Sequence, residues 1–201
     1  MASFSRDRES LETALSRFSP WNEQEQKDRE RILHFLQQVP DAFKRTNETA
    51  HFTASGWILN QNGDRILMVY HNLYDSWSWC GGHADGETNL LQVALREAKE
   101  ETGVCHIALV SPQIFSVEIL PVFGHEKRGR YVPSHLHMNV TYLLRADERD
   151  VLHPCEGENS GVRWFTPQEA LTASTEKWMT ERIYRKLVEK ELARRKGKRT
   201  E

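Results

Sequence analysis

The stretch Gly81–Val104, GGHADGETNLLQVALREAKEETGV, organises the rest of the chain. A glycine pair forms a turn that leads through a short acidic loop into a segment of helical periodicity. Leu91, Ala94, Leu95 and Ala98 recur at the spacing of one buried helix face. At about 100° per residue, Glu97 and Glu101 stack one turn apart with Glu100 beside them. Three carboxylates on one face repel each other, and a chain that keeps them together points to a bound cation. All-oxygen ligation suits Mg²⁺, with Mn²⁺ as the alternative. Gly103 then stops the helix as a left-handed residue.

Around this stretch the chain has the composition of a soluble globular protein. It has 201 residues, 38% apolar and 28% charged, which fits one large domain or one domain with an appendage. A formal net charge of −2 gives no global attraction to nucleic acid or anionic membrane, so neither is expected as a partner. No apolar run is long enough to span a bilayer, and the polar N-terminus MASFSRDRES has no signal-peptide core. Cys80, Cys105 and Cys155 are odd in number and lack metal-type spacing, which suits buried thiols in a reducing cytoplasm.

Residues 1–48 read as a helical extension. Leu11, Leu15 and Phe18 make one stripe, and Ile32, Leu33, Leu36 and Val39 a second that ends at Pro40. Ser19-Pro20 has the form of a helix start between them. Phe52–Leu59 and Ile66–His71 read as strands joined by an Asn62-Gly63 hairpin turn. Ser76–Cys80 is a short strand in which Trp77 and Trp79 are candidates either to stack on a nucleobase or to pack the core. Ile107–Val122 is extended, and residues 123–133 form a basic loop whose Lys127, Arg128 and Arg130 are placed to meet phosphates. Ser134–Leu144 alternates, with Leu136, Met138, Val140 and Tyr142 on the core face and His135, His137, Asn139 and Thr141 on the other. His135 and His137 could begin a metal site, but no third ligand is evident. Substrate contact is the role assigned to them, with a solvated face as the alternative. The loop Glu156–Gly161 feeds the strand Val162–Phe165, and Thr166-Pro167 caps a following helix. A last helix, about 174–195, turns Met179, Ile183, Leu187 and Val188 inward and ends in a basic tail at 196–201.

Arg96-Glu97-Ala98-Lys99-Glu100-Glu101-Thr102-Gly103-Val104 resembles the second half of the Nudix hydrolase signature at every fixed position. The first half departs from it: Gly82 falls on the first glycine, but Thr88 stands where a glutamate is expected and Glu87 lies one residue early. The acidic loop, tryptophan strand and short helix near the end resemble the tail of MutT-like Nudix domains. The resemblance implies an α/β/α sandwich with a mixed sheet over residues 49–195. It implies hydrolysis of a nucleoside diphosphate linked to another group, by water attack on phosphorus. It further implies Mg²⁺ held by Glu97, Glu100, Glu101 and the Gly81 carbonyl, with Arg96 bracing the helix through an acidic partner, here expected to be Glu87. For the general base the MutT-like pattern favours Glu158, six residues before Trp164, over Glu97, Glu118 and Glu156.

The partner implied is a small nucleotide-type diphosphate, and a homodimer is compatible with the sequence. Added motifs of coenzyme A and NADH pyrophosphatases are missing, and Pro121 stands near but not at the spacing seen in ADP-ribose pyrophosphatases. Two other classes share the fold. An isopentenyl-diphosphate isomerase-like enzyme would use Cys80 beside His83. A non-catalytic ligand sensor would tend to lose the box glutamates, all three of which are kept here.

Overall fold

The structure is a computed structural model that describes residues 2–127 and 129–197. Arg128 and the tail residues 198–201, as well as the side chain of Lys127, lie outside the described residues. The elements run α1 (Ala2–Arg17), α2 (Glu23–Gln38), β1 (Ala50–Leu59), β2 (Ile66–His71), β3 (Ser76–Ser78), β4 (Cys80–His83), α3 (Leu90–Thr102), β5 (Ile107–Val122), β6 (His125–Lys127), β7 (Arg130–Val132), β8 (His135–Ala146), β9 (Asn159–Phe165), α4 (Pro167–Ala173), a π-helical turn (Met179–Tyr184) and α5 (Arg185–Gly197). The sheet order is β3-β2-β1-β8-β5, with β4 paired to β1 and β9 to β2; β6 and β7 make a separate hairpin. The chain divides into two compact units: Met1–Ser55, Gly81–Arg96 and Ser111–Tyr142 in one, and Gly56–Cys80, Glu97–Val110 and Leu143–Glu201 in the other.

In the first unit α1 packs on α2, and α2 reaches the start of β1. Leu11, Leu15, Ile32 and Leu36 are buried, as their spacing requires. The start of α2 is not Ser19-Pro20, however. Asn22 caps it, its side chain accepting the Glu25 N–H at 2.9 Å. Phe35 and Phe43 meet Phe52 of β1 with ring centroids 5.9 and 4.9 Å away, and the Phe52 N–H donates to the Ala42 carbonyl at 2.8 Å.

Strand alternation gives β1 an apolar face, Phe52 and Ala54, and a polar face, His51, Thr53 and Ser55; both are buried. Thr53 Oγ1 and Ser55 Oγ donate to Asn139 Oδ1 of β8 at 3.0 and 2.9 Å. The Asn139 amide nitrogen donates to Glu118 Oε2 of β5 at 3.0 Å, where Thr141 Oγ1 also donates at 2.9 Å. The Ser116 hydroxyl joins Glu118 to Glu25 of α2. The polar face of β8 is therefore interior over Asn139 and Thr141, while Leu136, expected in the core, is 38% exposed. A polar strip can be buried because its groups find partners.

The glycine pair of the sequence is part of strand β4 rather than a turn. A Cβ at Gly81 would lie 2.4 Å from Ser55 Oγ and 2.8 Å from the Ala54 carbonyl, so close approach to β1 requires glycine there. The turn itself falls on Asp85 and Gly86, with φ of 50° and 92°.

In the second unit β1 and β2 pair antiparallel in the register Ile58↔Leu67 and Leu59↔Ile66. Gly63 takes a φ of 70° in the turn, and the Asn60 side chain accepts the Asp64 and Arg65 N–H groups at 2.9 and 3.1 Å. Trp57 stacks on Tyr184 at 5.8 Å, and Trp79 meets the same ring edge-on at 5.7 Å. The π-helical turn sets the phase of this last helical stretch, burying Ile183, Tyr184 and Leu187 together. A regular helical period had pointed to Met179 and Val188 and missed Tyr184. Thr166 and Glu169 form a capping box on α4. The basic end of α5 is held in place: Arg195 donates to the Gly63 carbonyl at 2.9 Å, and Arg194 pairs with Glu191 at 2.6 Å.

Replacing Asn139 by alanine removes the amide that joins three strands. The expected cost is about 3 kcal/mol, because the Glu118 carboxylate and two hydroxyls lose partners in the interior. Urea denaturation with an unchanged m-value measures it, and a loss below about 1 kcal/mol would contradict this account of the strip.

Candidate active site

Helix α3 carries the three carboxylates. Its first turn is held by Asn89, whose side chain accepts the Gln92 N–H at 3.3 Å, and by Glu87, whose Oε1 accepts the Asn89 N–H at 2.8 Å. Leu90, Val93, Ala94 and Ala98 form the buried face, while Leu91 and Leu95 are half-buried. At the C-terminal end Glu101 is 4% exposed, Glu97 is half-buried and Glu100 is exposed. Gly103 ends the helix with a φ of 77°.

Glu101 lies beside the buried thiol of Cys80. Burial, the Glu101 charge and hydrogen bond, and the Glu97 charge push that thiol well above its ordinary pKa. Asn159 Nδ2 donates to the Glu101 carbonyl at 3.0 Å, tying the loop before β9 to the helix end. Glu158 next to it is exposed, and the Cys155 thiol is raised first by burial, then by the charges of Glu158, Glu101 and Glu100. Carboxylates from the helix and the loop thus share one neighbourhood in the second unit. Asn159 was not singled out in the sequence, although its place beside Glu158 in a turn-rich loop could have flagged it.

The other expected site residues have these surroundings. Glu87 does not brace Arg96: it is exposed and spends its carboxylate on the helix start, whereas Arg96 Nη2 donates to the His83 carbonyl at 3.4 Å. Trp79 is 7% exposed and packs the core, so it is not open for base stacking. Arg130 is exposed on β7 of the small hairpin.

The polar face of the first unit ends in four imidazoles. His51, His83, His135 and His137 bring one ring nitrogen each to within 4.8 Å of all the others. Five of the ring pairs have centroids 4.9–5.1 Å apart. Desolvation, then the charges of His83, His51 and His135, lower the His137 pKa to about 2. His51 is also lowered, chiefly by burial. Beside the cluster Arg45 forks onto Asp85 and holds its carboxyl below the usual range. His51 and His83 supply the partners that the sequence did not reveal for His135 and His137. The visible signal was the alternation His51-Thr53-Ser55, which makes a polar strand face matching that of β8.

Residues 49–187 match the NUDIX domain model. The chain belongs to the Nudix family of hydrolases. Its fold is the Nudix α/β sandwich, similar to the Ap4A hydrolase of C. elegans in a binary complex, with a TM-score of 0.53 at 19% identity over 73% of this chain and 98% of that one. A NUDIX-family hydrolase from Clostridium perfringens gives 0.48 at 21% identity over 68% and 95%. Comparison with curated protein sequences finds no match. As a Nudix-type pyrophosphohydrolase the protein acts on acid anhydrides, and its signature residues Arg96–Val104 span the last turns of α3 and its stop. Within the described residues no helix is long and apolar enough to cross a membrane.

The raised, fully buried thiol of Cys80 makes it a poor nucleophile in this Nudix enzyme. At about pH 8, a thiol reagent is expected to modify exposed Cys105 rapidly and Cys80 only after unfolding. Rapid native labelling of Cys80, read by peptide mass, would overturn this assignment.

Proposed function

We propose that the protein hydrolyses the diphosphate linkage of a nucleoside diphosphate joined to a further group, using Mg²⁺ or Mn²⁺ held by Glu97, Glu100 and Glu101. The observation that carries this is the burial of Glu101 at the end of a helix that keeps two more carboxylates within a turn. A buried carboxylate among like charges is costly unless a cation neutralises it. The all-oxygen donor set fits a hard divalent ion. Such an ion, when bound, supplies Lewis-acid polarisation of the phosphate and neutralises developing charge.

The chain's own residues supply the proton transfer and the positioning. A water attacking phosphorus must lose a proton, and Glu158 is exposed with its backbone fixed nearby: its carbonyl accepts the Asn72 N–H at 3.0 Å, and Asn159 anchors to α3. Glu158 is therefore assigned as general base. Arg96 is a positioning residue that ties helix α3 back to the carbonyl of His83. Ap4A belongs in the first substrate panel because the C. elegans protein of similar fold is an Ap4A hydrolase; nucleoside triphosphates and nucleotide sugars complete it.

Phosphate release from this panel with Mg²⁺ tests the reading. Glu158→Gln is expected to lower kcat about 100-fold with KM little changed, the scale of general acid–base catalysis. A loss under about threefold would return the role to another carboxylate. Glu101→Gln should abolish most activity and blunt the Mg²⁺-induced rise in melting temperature seen in the wild type. Equal Mg²⁺ shifts in the two proteins would remove Glu101 from the cation site.

A further inference from the structure

The geometry points to a second metal site in this protein: a transition-metal centre, with Zn²⁺ as its ion, held by His51, His83, His135 and His137. It is separate from the carboxylate set on α3 in ligands and in chemistry. It also replaces direct substrate contact as the role of His135 and His137.

Three observations carry it. The first is the spacing. A tetrahedral ion with metal–nitrogen bonds of ~2.0–2.1 Å needs nitrogens roughly 3.3 Å apart. His135 Nε2 and His137 Nε2 stand 3.1 Å apart, and all four ligand atoms fall within 4.8 Å of one another. Small side-chain rotations of the half-buried imidazoles bring all four onto one ion.

The second is the arrangement of the outer nitrogens. His51 Nδ1 hydrogen-bonds to the Asn47 carbonyl at 3.0 Å and His135 Nδ1 to the Pro133 carbonyl at 2.8 Å. A carbonyl accepts only, so each Nδ1 carries the proton and each Nε2 presents a lone pair to the cluster. Metal-bound histidines are oriented in this way, by a backbone acceptor on the far nitrogen. The Asn47 loop is itself fixed, its side chain accepting the Thr49 and Ala50 N–H groups at 3.2 and 3.3 Å.

The third is an orphan. His51 is 3% exposed, and its buried Nε2 has no hydrogen-bond partner among the described residues. A buried polar atom without a partner costs roughly 1–3 kcal/mol, and a metal ion at the centre of the cluster satisfies it. Four neutral nitrogens select a borderline-soft ion over Mg²⁺, which prefers oxygen and octahedral geometry. With four protein ligands the centre is closed, as structural zinc sites are. It ties β1, β4 and β8 together at the end of the polar strip. Asp85, beside the cluster, offsets part of the charge brought by the ion and Arg45.

The test uses the full chain, dialysed against equal Zn²⁺ and Mg²⁺ and then against metal-free buffer. Elemental analysis of the wild type is expected to give stoichiometric retained zinc. Substitution with Co²⁺ should give the intense visible band of a tetrahedral centre, and chelation should lower the melting temperature. His83→Ala and His135→Ala change half-buried side chains, and each should weaken zinc affinity by more than the 10–100-fold typical of lost outer contacts. Glu101→Gln should keep its zinc in full, which separates failure here from failure of the carboxylate site. A wild type that retains no zinc and gives no cobalt band overturns the proposal. So do folded histidine variants, judged by circular dichroism, that retain zinc undiminished.

Discussion

One carboxamide holds the first unit together. Asn139 accepts from Thr53 and Ser55 and donates to Glu118, so a single side chain joins β1, β8 and β5. Ser116 extends the chain of bonds to Glu25 of α2. A sheet face of hydroxyls, an amide and carboxylates is stable in the interior only when its groups are matched, since each orphan is expensive. Helix α2 is part of that match: its Glu25 is one of the buried groups and also accepts the Trp21 N–H at 2.7 Å. The same low-dielectric setting keeps His51 and His137 neutral, with their ring nitrogens facing one another.

The second unit solves a different problem. Its core is aromatic, with Trp57 and Trp79 on Tyr184, and the Tyr184 hydroxyl stands 3.2 Å from Ser78 Oγ. On that support the end of α3 carries carboxylates of graded exposure, and Asn159 clips the following loop to the Glu101 carbonyl. Exposure matters because a buried carboxylate is costly unless it is paired, whereas an exposed one keeps its hydration.

Much of this was legible in the sequence. The strands β2 and β5, the Asn62-Gly63 turn, the Thr166-Pro167 cap and the stop at Gly103 came from local chemistry: turn residues, capping residues and a positive φ. The Glu97, Glu100 and Glu101 set came from helical spacing and a resemblance. What was not legible depends on partners distant in the chain. His51 is marked only as part of a polar strand face, and His51 and His83 join the cluster only when β1 and β4 meet β8. Glu87 looked like the brace of Arg96 because charge was counted without geometry, and the nearest unsatisfied N–H took it instead. Tyr184 was missed because the π-helical turn alters the period on which the inward face was read.

The central claim is that the end of α3 is the cation site for hydrolysis. Anomalous diffraction from crystals soaked in Mn²⁺ tests it most directly. The account predicts a manganese peak within bonding distance of Glu101 and at least one of Glu97 and Glu100. A protein that hydrolyses its substrate with Mn²⁺ yet shows manganese only at the four histidines, or away from all three glutamates, would contradict it.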